Sequence, residues 1–107
     1  MPTLDTIGRA RWGDAYLWGT LAAQGAHLAF ASDWPVTDVS VMRGIKAALT
    51  RQPYAEGLAD ERVGLMATLY AYTAGGAWAA QFDDVTGRLI PGLAADLVVI
   101  DGDGEAS

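Results

Sequence analysis

The chain has no cysteine and a single histidine, His27. The missing thiols exclude disulfides and thiolate metal sites. One imidazole does not make a zinc site, which takes three or more good ligands. Basic residues are scarce as well. Seven of them stand against thirteen acidic residues, a net charge of −6, which argues against nucleic acid or an anionic membrane as a partner. No apolar run approaches the length of a transmembrane helix. The start, Met1-Pro2-Thr3-Leu4-Asp5, lacks a charged segment leading into an apolar one, so no secretory leader is read and a reducing cytoplasm is expected. Neither G-x-x-x-x-G-K-[ST] nor G-x-G-x-x-G after a strand is present, so the glycines form no phosphate loop. Asp83-Asp84 and Asp101/Asp103 lack the pattern of a calcium loop and read as solvated turns. At 107 residues the chain suits one ordinary domain and is too short for a complete (β/α)8 barrel of about 250 residues.

What is present points to ordered structure. Half of the residues are apolar and four are tryptophan, a composition that favours a packed fold over disorder. The organising stretch is His27-Leu28-Ala29-Phe30-Ala31, an apolar run that climbs to Ser32-Asp33 and stops at Trp34-Pro35. It reads as a strand buried on both faces. Proline ends a ladder, which leaves Asp33 at the carboxyl end, where ligands and catalytic groups gather in α/β folds. From the local pattern alone, Asp33 reads first as the residue of a turn or a cap. His27 falls about six residues earlier, near the opposite edge at about 3.3 Å per residue, and reads as structural.

Helical spacing predicts a helix from Gly13 to about Gln24, ended at Gly25, and a second over Val41–Arg51. A third is predicted from Leu65 to about Phe82, with Gly75-Gly76 as a weak point that permits a kink or a close approach to a strand. Its aromatic residues Tyr70, Tyr72 and Trp78 read first as core. Pro91-Gly92 is a turn, Leu89-Ile90 a short strand and Leu97–Ile100 a strong one between aspartates. The tail from Gly102 to Ser107 has no pattern that orders it.

Two segments carry a family resemblance. Gly25-Ala26-His27-Leu28-Ala29-Phe30-Ala31-Ser32-Asp33-Trp34-Pro35-Val36 resembles G-A-x-L-A-x-x-S-D-W-P-V. Gly87-Arg88-Leu89-Ile90-Pro91-Gly92-Leu93-Ala94-Ala95-Asp96-Leu97-Val98-Val99-Ile100-Asp101 resembles G-x-L-x-P-G-x-x-A-D-L-V-V-x-D. Both are motifs of the amidohydrolase superfamily, in its family 3 branch with N-substituted formamide deformylase-like and D-aminoacylase-like enzymes. Leu69–Thr73 and Ala77–Ala80 are similar to that branch's A-Y-T helix.

The resemblance implies an α/β fold: the last strand and flanking helices of a (β/α)8 barrel over residues 1–83, then strands of a companion β-sandwich and a tail over 84–107. It implies a C-terminal fragment of a metal-dependent hydrolase of non-peptide C–N bonds, acting on a small amide-type substrate and inactive alone. Asp33 takes the place of the family's aspartate at the end of strand eight, as metal ligand and as the base that moves the proton of the attacking water. Trp34 either walls the substrate pocket or packs under its own loop. The implied cofactor is a divalent metal, zinc by preference, held by the whole protein and not by this fragment, whose own open strand edges imply self-association. Gly19, Gly64, Met66-Ala67 and Leu93 depart from the family pattern; relatives often have arginine in place of Gly19. The alternative is a non-catalytic self-associating α/β module, or a small binding domain with Trp12, Trp18 and Trp34 as an aromatic patch.

Overall fold

The computed structural model describes residues 2–102. Its elements are α1 (Pro2–Ile7), a 3-10 helix (Arg9–Asp14), α2 (Trp18–Ala23), α3 (Val41–Thr50), α4 (Leu65–Tyr72) and α5 (Ala74–Ala79). No strand occurs among the described residues. This corrects the expected α/β class: neither a barrel strand at His27–Ala31 nor sandwich strands at Leu89-Ile90 and Leu97–Ile100 are formed. The physical reason lies in the backbone bonds. A strand is defined by its ladder to a neighbour, and here the amide of Phe30 donates to a helix carbonyl, that of Ala71, at 3.0 Å. Along 28–32 burial alternates, with Leu28, Phe30 and Ser32 half-buried and Ala29 and Ala31 exposed. One face of this segment is therefore covered and the other open, in place of burial on both. The expected disordered tail falls largely on residues 103–107, outside the described residues.

The helix predicted from Gly13 to Gln24 begins late. Arg9–Asp14 forms a 3-10 helix, Tyr16 takes a left-handed φ of 56°, and only Trp18–Ala23 is α-helical. The second helix is close to expectation. The Ser40 side chain caps it by accepting from the Arg43 amide, Asp38 accepts from the Ser40 amide at 2.8 Å, and Ile45 and Ala48 face inward. The third is split. Thr73, at φ −120° and ψ −94°, breaks it into α4 and α5, two residues before the expected weak point, and the Thr73 hydroxyl donates back to the Leu69 carbonyl at 2.8 Å.

Gly75 makes a close approach, to the unpaired segment at Leu28 and not to the expected strand. A Cβ at this position would lie 2.3 Å from the carbonyl oxygen of Leu28. The backbone of 28–30 thus lies directly on the start of α5, and its amide at Phe30 reaches the carbonyl that the helix break leaves open. Ala71, Ala74 and Ala77 are buried along this seam. With Ile45, Ala48, Val63 and the fully buried Thr68 they form the core between α3, α4 and α5.

Two polar clasps fix the entry to the seam. Glu61, only 6% exposed, accepts from the Thr20 amide at 2.7 Å and from its hydroxyl at 2.5 Å. Both bonds satisfy groups in the first turn of α2, which is otherwise uncapped. The backbone of Glu61-Arg62 passes so close that a Cβ on Gly19 would stand 3.1 Å from the Arg62 carbonyl oxygen. Arg51, just past α3, donates to the Tyr16 carbonyl at 2.8 Å and lies over the rings of Trp18 and Tyr54 at 4.8 and 5.4 Å.

These contacts yield two tests. Gly75→Ala drives a methyl into a backbone carbonyl and is expected to destabilise the chain by about 1–3 kcal/mol. Gly76→Ala, whose Cβ would meet the Ala71 carbonyl oxygen at an ordinary 3.6 Å, gains helix propensity of up to about 1 kcal/mol. Urea titration followed by tryptophan fluorescence separates the two, and equal effects would refute the seam. The second test uses acid. Bonds from the Thr20 hydroxyl, then the Thr20 amide, hold the Glu61 carboxyl below the usual glutamate value. Because the folded value is lowered, the stabilisation is complete above the unfolded value and is lost as pH falls through the folded one. Glu61→Gln should cost about 1–3 kcal/mol at neutral pH and flatten the acid limb of the stability curve. An unchanged acid limb would remove Glu61 from this role.

Candidate functional site

Asp33 sits in the connection between the seam and α3. The Gly25 turn, at φ 83°, releases the chain from α2. The Phe30–Ala71 bond and the ring contacts of Phe30 with Trp18 at 5.4 Å and Tyr72 at 5.6 Å then hold its direction. Immediately beyond, residues 33–36 make a tight turn closed by the Val36 amide on the Asp33 carbonyl at 2.8 Å, with the Trp34–Pro35 peptide bond cis. Asp33 is left-handed at φ 52°, a conformation that aspartate tolerates better than most residues. Its carboxylate is exposed and makes no hydrogen bond or ion pair among the described residues.

Trp34 follows at 66% exposure. It does not pack under its loop, and it does not line the cleft of about 300 Å³ behind that loop. Trp18, Phe30 and Tyr72 form the apolar wall of that cleft, with Ser32, Thr37 and Arg43 at its rim. Asp33 is likewise absent from the cleft lining, which faces the helices. The structure therefore places Asp33 and Trp34 together on the open side of the chain.

His27 lies apart, with its ring 4.6 Å from that of Trp78, a stacking contact in keeping with a structural reading. Trp12 donates its indole N–H to the Leu4 carbonyl and Trp18 joins the aromatic row with Tyr16 and Phe30. Each of these tryptophans thus has its own packing partner, and Trp34 is the one left open. Tyr70 and Trp78, read as core, are half exposed. The second motif aspartate, Asp96, accepts from the Thr86 hydroxyl at 2.7 Å, next to the bond from the Ala94 amide to the Val85 carbonyl. It closes a loop. Sequence reasoning passed over Glu61, Thr20 and Arg51; no local pattern marks them, because each bonds across a gap of more than thirty residues.

Among the described residues no three of His, Cys, Asp and Glu come together as a group that could hold a metal ion. Asp33 by itself does not meet the ligand number of a zinc site.

A family model described as "Amidohydrolase family" matches residues 2–106. The chain belongs to the amidohydrolase family. This amidohydrolase chain is 36% identical over 90 residues to Protein LONG AFTER FAR-RED 3 of Arabidopsis thaliana, covering 81% of the chain and 15% of that protein. It is 29% identical over 105 residues to YtcJ of Bacillus subtilis (strain 168), which carries an amidohydrolase name, covering 94% of the chain and 20% of that protein. The chain thus spans a fifth or less of the length of the curated relatives it matches. No solved structure matches it. The family match extends across the Asp33 turn and the Asp96 loop alike. No helix of the described residues is long and apolar enough to cross a membrane.

Proposed function

We propose that the whole protein is a metal-dependent hydrolase of non-peptide C–N bonds and that Asp33 is its proton-transferring carboxylate. The observation that carries the reading is the family match across a turn that presents an exposed, unpartnered carboxylate. In this reading Asp33 takes a proton from the water whose oxygen bonds to the amide carbon. As the C–N bond breaks, the proton passes to the departing nitrogen, leaving a carboxylic acid and an amine and returning Asp33 to its anionic form. Trp34, beside it on the open side, supplies an apolar wall for the small-molecule amide. A divalent metal, zinc by preference, belongs to this reading. This chain contributes Asp33 to it at most, and the other ligands come from the remainder of the protein. The expected location is the cytoplasm.

Asp33→Asn in the whole protein should lower kcat by about 10²- to 10⁴-fold, and a chelator should abolish wild-type turnover until zinc is returned. Near-normal turnover of the variant would refute the proton-transfer role.

A second reading rests on a different observation. Leu97, Val98, Val99 and Ile100 are all more than half exposed, and no ladder pairs them among the described residues. In this reading the chain by itself acts as a self-associating module, with this segment paired between copies. Light scattering of the purified chain should show a concentration-dependent rise in mass, suppressed by Val98→Lys. A monomer at high concentration would remove this reading.

A further inference from the structure

We propose that Ser32 and Thr37 are positioning residues that hold Asp33 in the left-handed conformation in which its carboxylate is presented. This inference rests on the reading of Asp33 as the reactive carboxylate. Ser32 is bonded from both of its ends. Its hydroxyl oxygen accepts from the Trp34 amide at 3.2 Å, a ring that closes around Asp33. Its carbonyl oxygen accepts from the Thr37 hydroxyl, a wider ring that closes around the whole 33–36 turn. Asp33 lies inside both rings, and its own carbonyl opens the turn closed by the Val36 amide.

The chemistry assigns each group a distinct task. A φ above zero is disfavoured for any residue with a Cβ, so neighbouring bonds must select it against the extended alternatives. Ser32 is half-buried at the rim of the cleft behind the loop, and Phe30, two residues before it, is fixed on α4. It is therefore the last point of the seam that is anchored before the chain leaves for solvent. Thr37 returns the far side of the turn to that anchor. Beyond Thr37 the chain is secured again, by Asp38, which accepts from the Ser40 amide and pairs with Arg43 at 2.6 Å. Neither Ser32 nor Thr37 bonds to the Asp33 carboxylate, which is left free to take a proton. Both act on Asp33 through the backbone.

The test compares Thr37→Val, Thr37→Ser and Ser32→Ala in the 15N-labelled chain. The readouts are the three-bond HN–Hα coupling of Asp33, which reports its φ, and the hydrogen exchange of the Trp34 amide. Thr37→Val and Ser32→Ala should shift the coupling away from its left-handed value, and Ser32→Ala should speed Trp34 exchange about fivefold or more, the loss of one ordinary hydrogen bond. Thr37→Ser should preserve both signals. The urea midpoint should hardly move, because the loop is exposed; if Thr37→Val fails to fold by circular dichroism, Ser32→Ala decides alone. In the whole protein the same two variants should lower kcat with KM unchanged, and Thr37→Ser should restore it. An Asp33 coupling unchanged in the folded variants would overturn the proposal. Should Asp33→Asn prove harmless to turnover, the catalytic reading would fall while the coupling result still judged the positioning.

Discussion

The amide of Phe30 must find an acceptor once its segment leaves solvent, because an unpaired buried amide costs about 1–3 kcal/mol. It finds the carbonyl of Ala71, and most of the arrangement follows from that bond. A helix running on through Thr73 would spend the Ala71 carbonyl on its own fourth neighbour. The break at Thr73 releases it. Close contact then requires that α5 present no side chain where Leu28 passes, and Gly75 meets that requirement. The bond, the break and the glycine are one device. It sets the direction of residues 28–32, and hence the point at which the chain turns at Asp33.

The core this device organises is small-residued. Alanines 48, 71, 74 and 77 and the hydroxyl-bearing Thr68 are buried, while Met66, Phe82, Val98 and Val99 are exposed. Hydrophobic burial grows with apolar area, so alanine-rich packing gives close backbone approach and little driving force per residue. Polar clasps carry a correspondingly larger share. Glu61 satisfies the start of α2 across a gap of forty-one residues, and Arg51 ties the end of α3 to the Tyr16–Trp18 corner. Large apolar side chains left outside, in a chain that spans a fifth or less of its relatives, are surfaces suited to contact with further protein.

Periodicity read well where burial is one-sided and local. The helix expected over Val41–Arg51 forms over Val41–Thr50 with Ile45 and Ala48 inward, whereas its cap at Ser40 is seen only in the structure. It read poorly where the outcome depends on a distant partner. His27–Ala31 has the apolar run of a buried strand, yet pairing is a property of two segments, and no segment pairs with it among the described residues. The same holds for Leu97–Ile100. Thr73 gave no warning of the break, since a threonine is tolerated in a helix and only its hydroxyl bond to Leu69 and the need of Phe30 favour it here. Gly75 was legible as a close-approach glycine, but its neighbour was not. For the site, motif context singled out Asp33, whereas Ser32 and Thr37 are ordinary loop residues until their bonds are seen.

An exposed carboxylate on a turn is commonplace, and Asp83 and Asp84 belong to just such a turn. At Asp33 a bonded backbone, at a left-handed φ of 52°, stands beside an unengaged side chain. Four acidic residues of the chain are held through their carboxylates, Glu61 by Thr20, Asp38 by Arg43, Asp60 by Arg62 and Asp96 by Thr86, whereas Asp83 is held, like Asp33, through its backbone carbonyl, which accepts from Arg88. At Asp33 the backbone is held by its neighbours, and among the described residues nothing bonds the carboxylate. A group whose only task is to stabilise a turn gains by engaging its carboxylate, as those four do. A group that must exchange a proton gains by keeping it unengaged while its position is fixed through other atoms. In the proposed reading the Asp33 turn follows the second pattern, with Ser32 and Thr37 as the residues that hold its backbone.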